Sequence, residues 1–154
     1  MGGLVKLTHA VTVLGYIFCQ DQLLLLKRNY APRIYAPPGG RLLINEPPMM
    51  GLQREIREES GLDQVPIGPI MYLWHGRFHP RSPQLLCAGY LCPIPRFMPV
   101  RLSHEHSAYA WTTLDEIQSA RFPTMDGPWG IELSFYQSAF SLYRDYRISH
   151  PDSD

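Results

Sequence analysis

Apolar residues fall along the chain in two kinds of run. From His9 to Phe18, and again from Gln22 to Lys27, they are nearly unbroken: β-branched and aromatic in the first, leucine in the second, with Cys19-Gln20-Asp21 between. Continuous runs of this length predict strands buried on both faces and joined by a tight turn. Pro32, Pro37, Pro38, Gly39 and Gly40 rule out helix across Asn29–Gly40, which reads as a loop, with Arg41–Ile44 a short extended piece. From Met49 the period changes. Met49, Leu52 and Ile56 recur at spacings of three and four, the apolar stripe of a helix. Asn45 or Glu46 can cap its start, Pro47 and Pro48 suit its first turn, and Gly61 suits its C-terminal cap.

Val65–Trp74, Gln84–Cys92 and Ser107–Trp111 read as further strands, and Pro93, Pro95 and Pro99 break the chain after the second. Thr113-Leu114-Asp115-Glu116 is a capping-box pattern that opens a short helix. Phe122–Gly130 is a turn region rich in proline and glycine. Gly130–Arg147 places Ile131, Phe135, Ala139, Leu142, Tyr143 and Tyr146 as one face of a last helix. Residues 148–154 read as a loose tail. The order β, β, α, β, β, β, α, α predicts an α/β fold with helices packed on a mixed sheet. No repeat or linker divides residues 1–154, so a single domain is expected.

Composition narrows the partners. Apolar residues are 45% and charged residues 18%, a globular balance. Lys plus Arg and Asp plus Glu are 14 each, so the net charge is zero and a general nucleic-acid coat is excluded. Three cysteines, Cys19, Cys87 and Cys92, sit in apolar runs without a C-x-x-C pair. They read as small core residues of a reducing, cytoplasmic setting. The N-terminal residues lack the pattern of a signal peptide, and no apolar run is long enough to span a membrane.

The chemistry concentrates in Gly40–Leu62. Glu55, Glu58 and Glu59 fall within an arc of about 100° on the helix, so their carboxylates share one patch. They repel one another, and they crowd the helix half where the dipole disfavours anions. A solvated acidic face with helical salt bridges is one explanation. The other is a bound hard cation such as Mg²⁺, which takes carboxylate oxygens and keeps positions for water and phosphate. Arg54 and Arg57 stand near enough to offset part of the charge.

The glutamates do not stand alone. Gly40, Glu46, Arg54-Glu55-Ile56, Glu58-Glu59 and Gly61-Leu62, at these spacings, form a complete match to the Nudix box, so the chain resembles the Nudix hydrolase family. The approach Ala36-Pro37-Pro38-Gly39-Gly40 and the later Ser103-His104-Glu105-His106 with Ala110-Trp111 extend the likeness more loosely. The resemblance implies an α/β/α sandwich in which the box forms a loop–helix–loop. It implies hydrolysis of a nucleoside diphosphate linked to another group. By the same resemblance Glu55 and Glu59 are the main ligands of Mg²⁺ or Mn²⁺, Glu58 is a further ligand or the general base, and the Gly40 carbonyl joins the metal shell. Arg54 orients a box carboxylate, Glu46 is its outer partner, and Gly61 completes the motif. Asn45, where a glycine is common, and Pro47-Pro48 are mild departures.

Glu105, in a polar loop before a strand, is a candidate extra ligand or base. His104 and His106 could form a transition-metal pair, although no third ligand stands in spacing. Arg33 and Arg41, flanking the proline-rich loop beside Tyr30 and Tyr35, could pair with phosphate and stack on a base. Trp74 and Phe78 with Arg77 and Arg81 pose the same possibility, while Trp111 reads as core. The expected substrate is a nucleoside triphosphate or related nucleotide. ADP-ribose, a nucleotide sugar or a dinucleotide is the alternative, because the marks of the NADH branch are absent and Pro80 only roughly resembles that of the ADP-ribose branch. A non-catalytic nucleotide sensor is the competing class. No membrane or nucleic-acid partner is expected, and the resemblance allows a homodimer.

Overall fold

The computed structural model describes Gly3 and residues 8–151. Strands β1 (Ala10–Cys19) and β2 (Gln22–Arg28) form a hairpin through Gln20 and Asp21, both at positive φ. Left-handed residues in a two-residue turn match the twist of the strands they join. β2 pairs antiparallel with β3 (Tyr35–Ala36) and β7 (His106–Thr112). The first half of β1 pairs antiparallel with β4 (Gly39–Arg41) and, on its other side, parallel with β6 (Leu85–Pro93), and β5 (Ile70–Gly76) closes that edge. The result is a seven-stranded mixed sheet.

Alternation divides the apolar runs between two cores. Leu14, Tyr16 and Phe18 of β1 and Leu23 and Leu25 of β2 face α3 (Leu133–Ser149), which supplies Tyr136, Ala139, Phe140 and Tyr143. Val13, Ile17, Cys19, Leu24 and Leu26 face α1 (Pro48–Ser60), which supplies Leu52 and Ile56. Both α1 residues are fully buried, each stabilising the helix on the sheet by roughly 1.5–3 kcal/mol. The short α2 (Leu114–Gln118) opens with the expected capping box, Thr113 Oγ1 accepting from the Glu116 N–H and Glu116 Oε2 from the Thr113 N–H. The three cysteines are buried thiols.

Several boundaries differ from the sequence pattern. The Asn29–Gly40 segment contains β3 and β4, because extended proline-rich chain can still offer its remaining N–H and C=O groups to β2 and β1. The strand expected from Val65 begins at Ile70, since Pro66 and Pro69 lack N–H groups, although Gly68 still donates to the Leu91 carbonyl. The Phe122–Gly130 turn region folds as a small hairpin, β8 (Met125–Asp126) with β9 (Trp129–Gly130). α3 begins at Leu133 and runs to Ser149, so Ile148 and Ser149 are helical rather than tail; residues 152–154 lie outside the described residues. Neither Asn45 nor Glu46 caps α1. Pro47 takes that place without a side-chain bond, and Met49 of the expected stripe is half exposed. Gly61 does end the helix at φ 71°, where a side chain would be strained, and its N–H donates to the Arg57 carbonyl.

Candidate active site

α1 lies against β4 and β1 with its acidic face toward a cleft of about 440 Å³. Glu55, Glu58 and Glu59 line it from the helix, Gly39, Gly40 and Arg41 from β4, and Glu105 and His106 from the start of β7. Arg28, Tyr30, Phe78 and Arg81 form further walls. A larger open groove of about 850 Å³ runs along α3 beside the β1–β2 turn, but its one acidic lining residue is Asp21.

Arg54 organises one half of the acidic patch. Its Nε and Nη2 donate to Glu46 at 2.8 and 2.9 Å, and its Nη1 to Glu55 at 3.0 Å and Glu58 at 3.2 Å. The Arg54 hydrogen bonds, helped by the Leu43 N–H, hold the Glu46 carboxyl down at about 2. Burial pushes Glu55 upward, against the pull of Arg54.

Glu59 lives in different surroundings. Its Oε1 accepts the Gly39 N–H at 2.7 Å, and its Oε2 lies 3.2 Å from His106 Nε2, with both side chains 6% exposed. Burial, followed by the charges of Glu55 and Glu105 and offset by the Gly39 bond, pushes Glu59 up to about 8. Burial and then the neighbouring Arg28 guanidinium bring His106 down to about 4. Burial thus disfavours charge on both partners of this contact, the carboxyl being pushed up and the imidazole down.

These residues fit a divalent cation. The donors are all oxygens, the preference of hard ions. Gly40 forms a cradle: a Cβ there would stand 2.6 Å from the Glu55 carboxylate, so only glycine lets that carboxylate lie against the backbone. Buried carboxylates that raise one another leave a negative field that a cation would relieve. Among the described residues no three His, Cys, Asp or Glu side chains already gather as an ion's ligands. Arg54 draws Glu55 and Glu58 toward itself, and Glu59 turns to Gly39 and His106.

A sequence profile of the NUDIX domain matches residues 8–131. The chain belongs to the Nudix hydrolase family. A MutT-like protein of Streptomyces ambofaciens is 29% identical over 109 residues, 71% of this chain and 67% of that protein. The fold resembles an ADP-ribose pyrophosphatase of Streptococcus suis, with TM-score 0.70, 20% identity, and coverage of 89% of this chain and 93% of that one. It also resembles an Ap4A hydrolase of C. elegans, with TM-score 0.68, 18% identity, and coverage of 88% and 98%. The family generally uses divalent cations, and its members act on varied nucleotides.

Within this Nudix fold Gly40, Glu55, Glu58 and Glu59 of the box, with Arg41 beside Gly40 and the downstream Glu105, line the cleft, while Glu46 and Arg54 brace the acidic patch. Arg33 and Tyr35 do not line it. Arg33 is exposed, and Tyr35 packs edge-on against Phe122 in the α3-side core because β3 turns it there. Phe78 and Arg81 line the cleft, whereas Trp74 stacks behind Phe78 and borders, with Arg77, a hollow of about 60 Å³. His104 is exposed and outside the cleft while His106 is buried in it, so the two form no metal pair. Local spacing points neither to Arg28 nor to the Glu59–His106 contact. Arg28 ends a strand whose length hides its role, although a basic residue terminating a leucine run was a usable signal.

Among the described residues no helix is long and apolar enough to cross a membrane.

Proposed function

We propose that this Nudix hydrolase cleaves the diphosphate linkage of a nucleoside diphosphate bearing a further group, with a nucleoside triphosphate or related nucleotide as substrate and Mg²⁺ or Mn²⁺ as cofactor. One observation carries the reading: four carboxylates, Glu55, Glu58, Glu59 and Glu105, face a single cleft whose other walls hold Arg28, Arg41, Arg81 and Tyr30. Its volume of about 440 Å³ is near the low end of the roughly 300–1,000 Å³ usual for small-molecule sites. That size suits one nucleoside with its phosphates better than two nucleosides. The three buried thiols suit a cytoplasmic setting.

Glu55, Glu59 and the Gly40 carbonyl would hold the cation, with Glu58 adjoining, and the bound ion would neutralise charge building on the phosphate oxygens. Arg54 sets the direction of Glu55 and Glu58. Glu58, the most exposed carboxylate of α1, accepts a proton from the attacking water, and Glu105 is the alternative base. As the water oxygen bonds to phosphorus in line, the bridging P–O bond breaks and its electron pair leaves with the departing phosphate. Arg28, Arg41 and Arg81 present N–H groups to the non-bridging oxygens. The Tyr30 ring, half exposed with the Arg28 guanidinium 4.3 Å from its centroid, offers a stacking platform.

ADP-ribose, nucleotide sugars and dinucleotides would place the same linkage over the same carboxylates. A product panel separates these substrates: nucleoside triphosphates, ADP-ribose, nucleotide sugars, dinucleotides and capped RNA, each with Mg²⁺ or Mn²⁺, the products identified by mass. Fastest release of monophosphate and pyrophosphate from a triphosphate, lost in Glu58→Gln or Glu105→Gln while nucleotide still binds, is the expected result. Binding without turnover across the panel would instead make the chain a nucleotide sensor.

A further inference from the structure

Glu59 is held differently from the other α1 carboxylates. Glu55 and Glu58 pair with Arg54 on their own helix, whereas the partners of Glu59 come from β4 and β7. Glu59 Oε1 accepts the Gly39 N–H at 2.7 Å, and Oε2 stands 3.2 Å from His106 Nε2. A carboxylate oxygen has two lone pairs, so each keeps one for a further partner.

His106 is itself placed with care. It opens β7 opposite Arg28, where the β2–β7 register shifts. The loop before it is clamped by Asn29, whose backbone N–H donates to the Glu105 carbonyl and whose Nδ2 donates to that of His104. The Ser103 N–H donates to the Glu59 carbonyl, tying the end of α1 to the same loop.

The remaining ring nitrogen gains nothing. His106 Nδ1 is buried without a hydrogen-bond partner, as is Arg28 Nε beside it. A buried nitrogen left unpaired costs stability, and an apolar side chain would fill the space without that cost. What the imidazole supplies, and leucine could not, is a ring nitrogen 3.2 Å from Glu59 Oε2.

We propose that His106 is a positioning residue for the cation site: with Nε2 3.2 Å from Oε2, its N–H steadies the Glu59 carboxylate for a divalent ion. This rests on reading α1 as a cation site, but its test needs no turnover. Groups that orient a metal ligand typically change metal affinity by about 10–100-fold when removed. Mn²⁺ binding without nucleotide, followed by the loss of the free-ion electron paramagnetic resonance signal, compares wild type with His106→Leu and His106→Gln. His106→Leu is expected to weaken binding by about 10–100-fold, and His106→Gln, whose amide N–H₂ can reach the carboxylate, to recover most of it. Circular dichroism melting of each metal-free variant checks that it is folded. Where His106→Leu does not fold, nitrogen-15 spectra of the wild-type histidines decide. They are expected to show His106 protonated at Nε2 and shifting on Mg²⁺ addition; protonation at Nδ1 would overturn the proposal. So would wild-type affinity in folded His106→Leu, or a loss that His106→Gln does not recover. A wild-type protein that binds no Mn²⁺ at all would remove the cation site itself.

Discussion

Glu46 and Glu59 bracket the same helix and carry the same side chain, yet they are driven in opposite directions. Glu46 meets the guanidinium of Arg54 through both oxygens and is held down at about 2. Glu59 meets only an amide and an imidazole inside the cleft wall and is pushed up to about 8. Where the fold supplies its own cation, the carboxylate's charge is settled before any ligand arrives. Where it supplies only N–H groups, the charge waits for something from outside. The first arrangement braces the site, and the second gives it an appetite for cations.

The largest effect is expected at the unsettled end. Glu59→Gln should lower kcat/KM by roughly 10³-fold or more, within the span of losses seen when acid–base or metal-binding carboxylates are removed. Its metal-free stability should move the other way. A carboxyl raised to about 8 contributes stability that is complete below its ordinary value and is lost as pH climbs through 8. Thermal melts from pH 5 to pH 9 in EDTA should therefore fall less for Glu59→Gln than for wild type; parallel curves would mean Glu59 is not so perturbed.

Next comes the settled end. Arg54→Met removes the partner of Glu46, Glu55 and Glu58 at once. Steady-state kinetics should show kcat/KM reduced by roughly 10–100-fold, and melting should show a midpoint lower by roughly 2–6 °C. An unchanged midpoint with full activity would show that the pairs brace nothing.

A smaller effect sets proton against cation. Because the proton leaves Glu59 only as pH approaches 8, millimolar Mg²⁺ should raise the melting midpoint more at pH 8 than at pH 6. A gain independent of pH would place the ion elsewhere. The smallest contrast lies in the arginines. Arg81→Ala, in the cleft wall, should raise KM by about tenfold, as loss of a charged hydrogen bond to phosphate does. Exposed Arg33→Ala should stay within about twofold.

How much of this was readable in advance follows the range of the interactions. α1 announced its acidic face, its proline start and its Gly61 stop through neighbours three and four residues apart, and the two-sided burial of β1 and β2 was written in their unbroken apolar runs. β3 and β4 were hidden because proline and glycine suppress local strand signals, and only distant partners on β2 and β1 make them strands. Arg33 and Tyr35 looked equal to Arg41 by position, but the turn of β3 carries Tyr35 into the core and leaves Arg33 outside the cleft. The Glu59–His106 contact joins residues far apart in the chain, so no spacing rule could show it.

The most direct measurement is an anomalous difference map from crystals soaked in Mn²⁺ with a non-hydrolysable nucleotide. The expected peak lies among Glu55, Glu59 and the Gly40 carbonyl, at coordination distance, about 2.0–2.2 Å, from their oxygens. Well-ordered nucleotide in the cleft, with no anomalous peak touching Glu55 or Glu59, would contradict it.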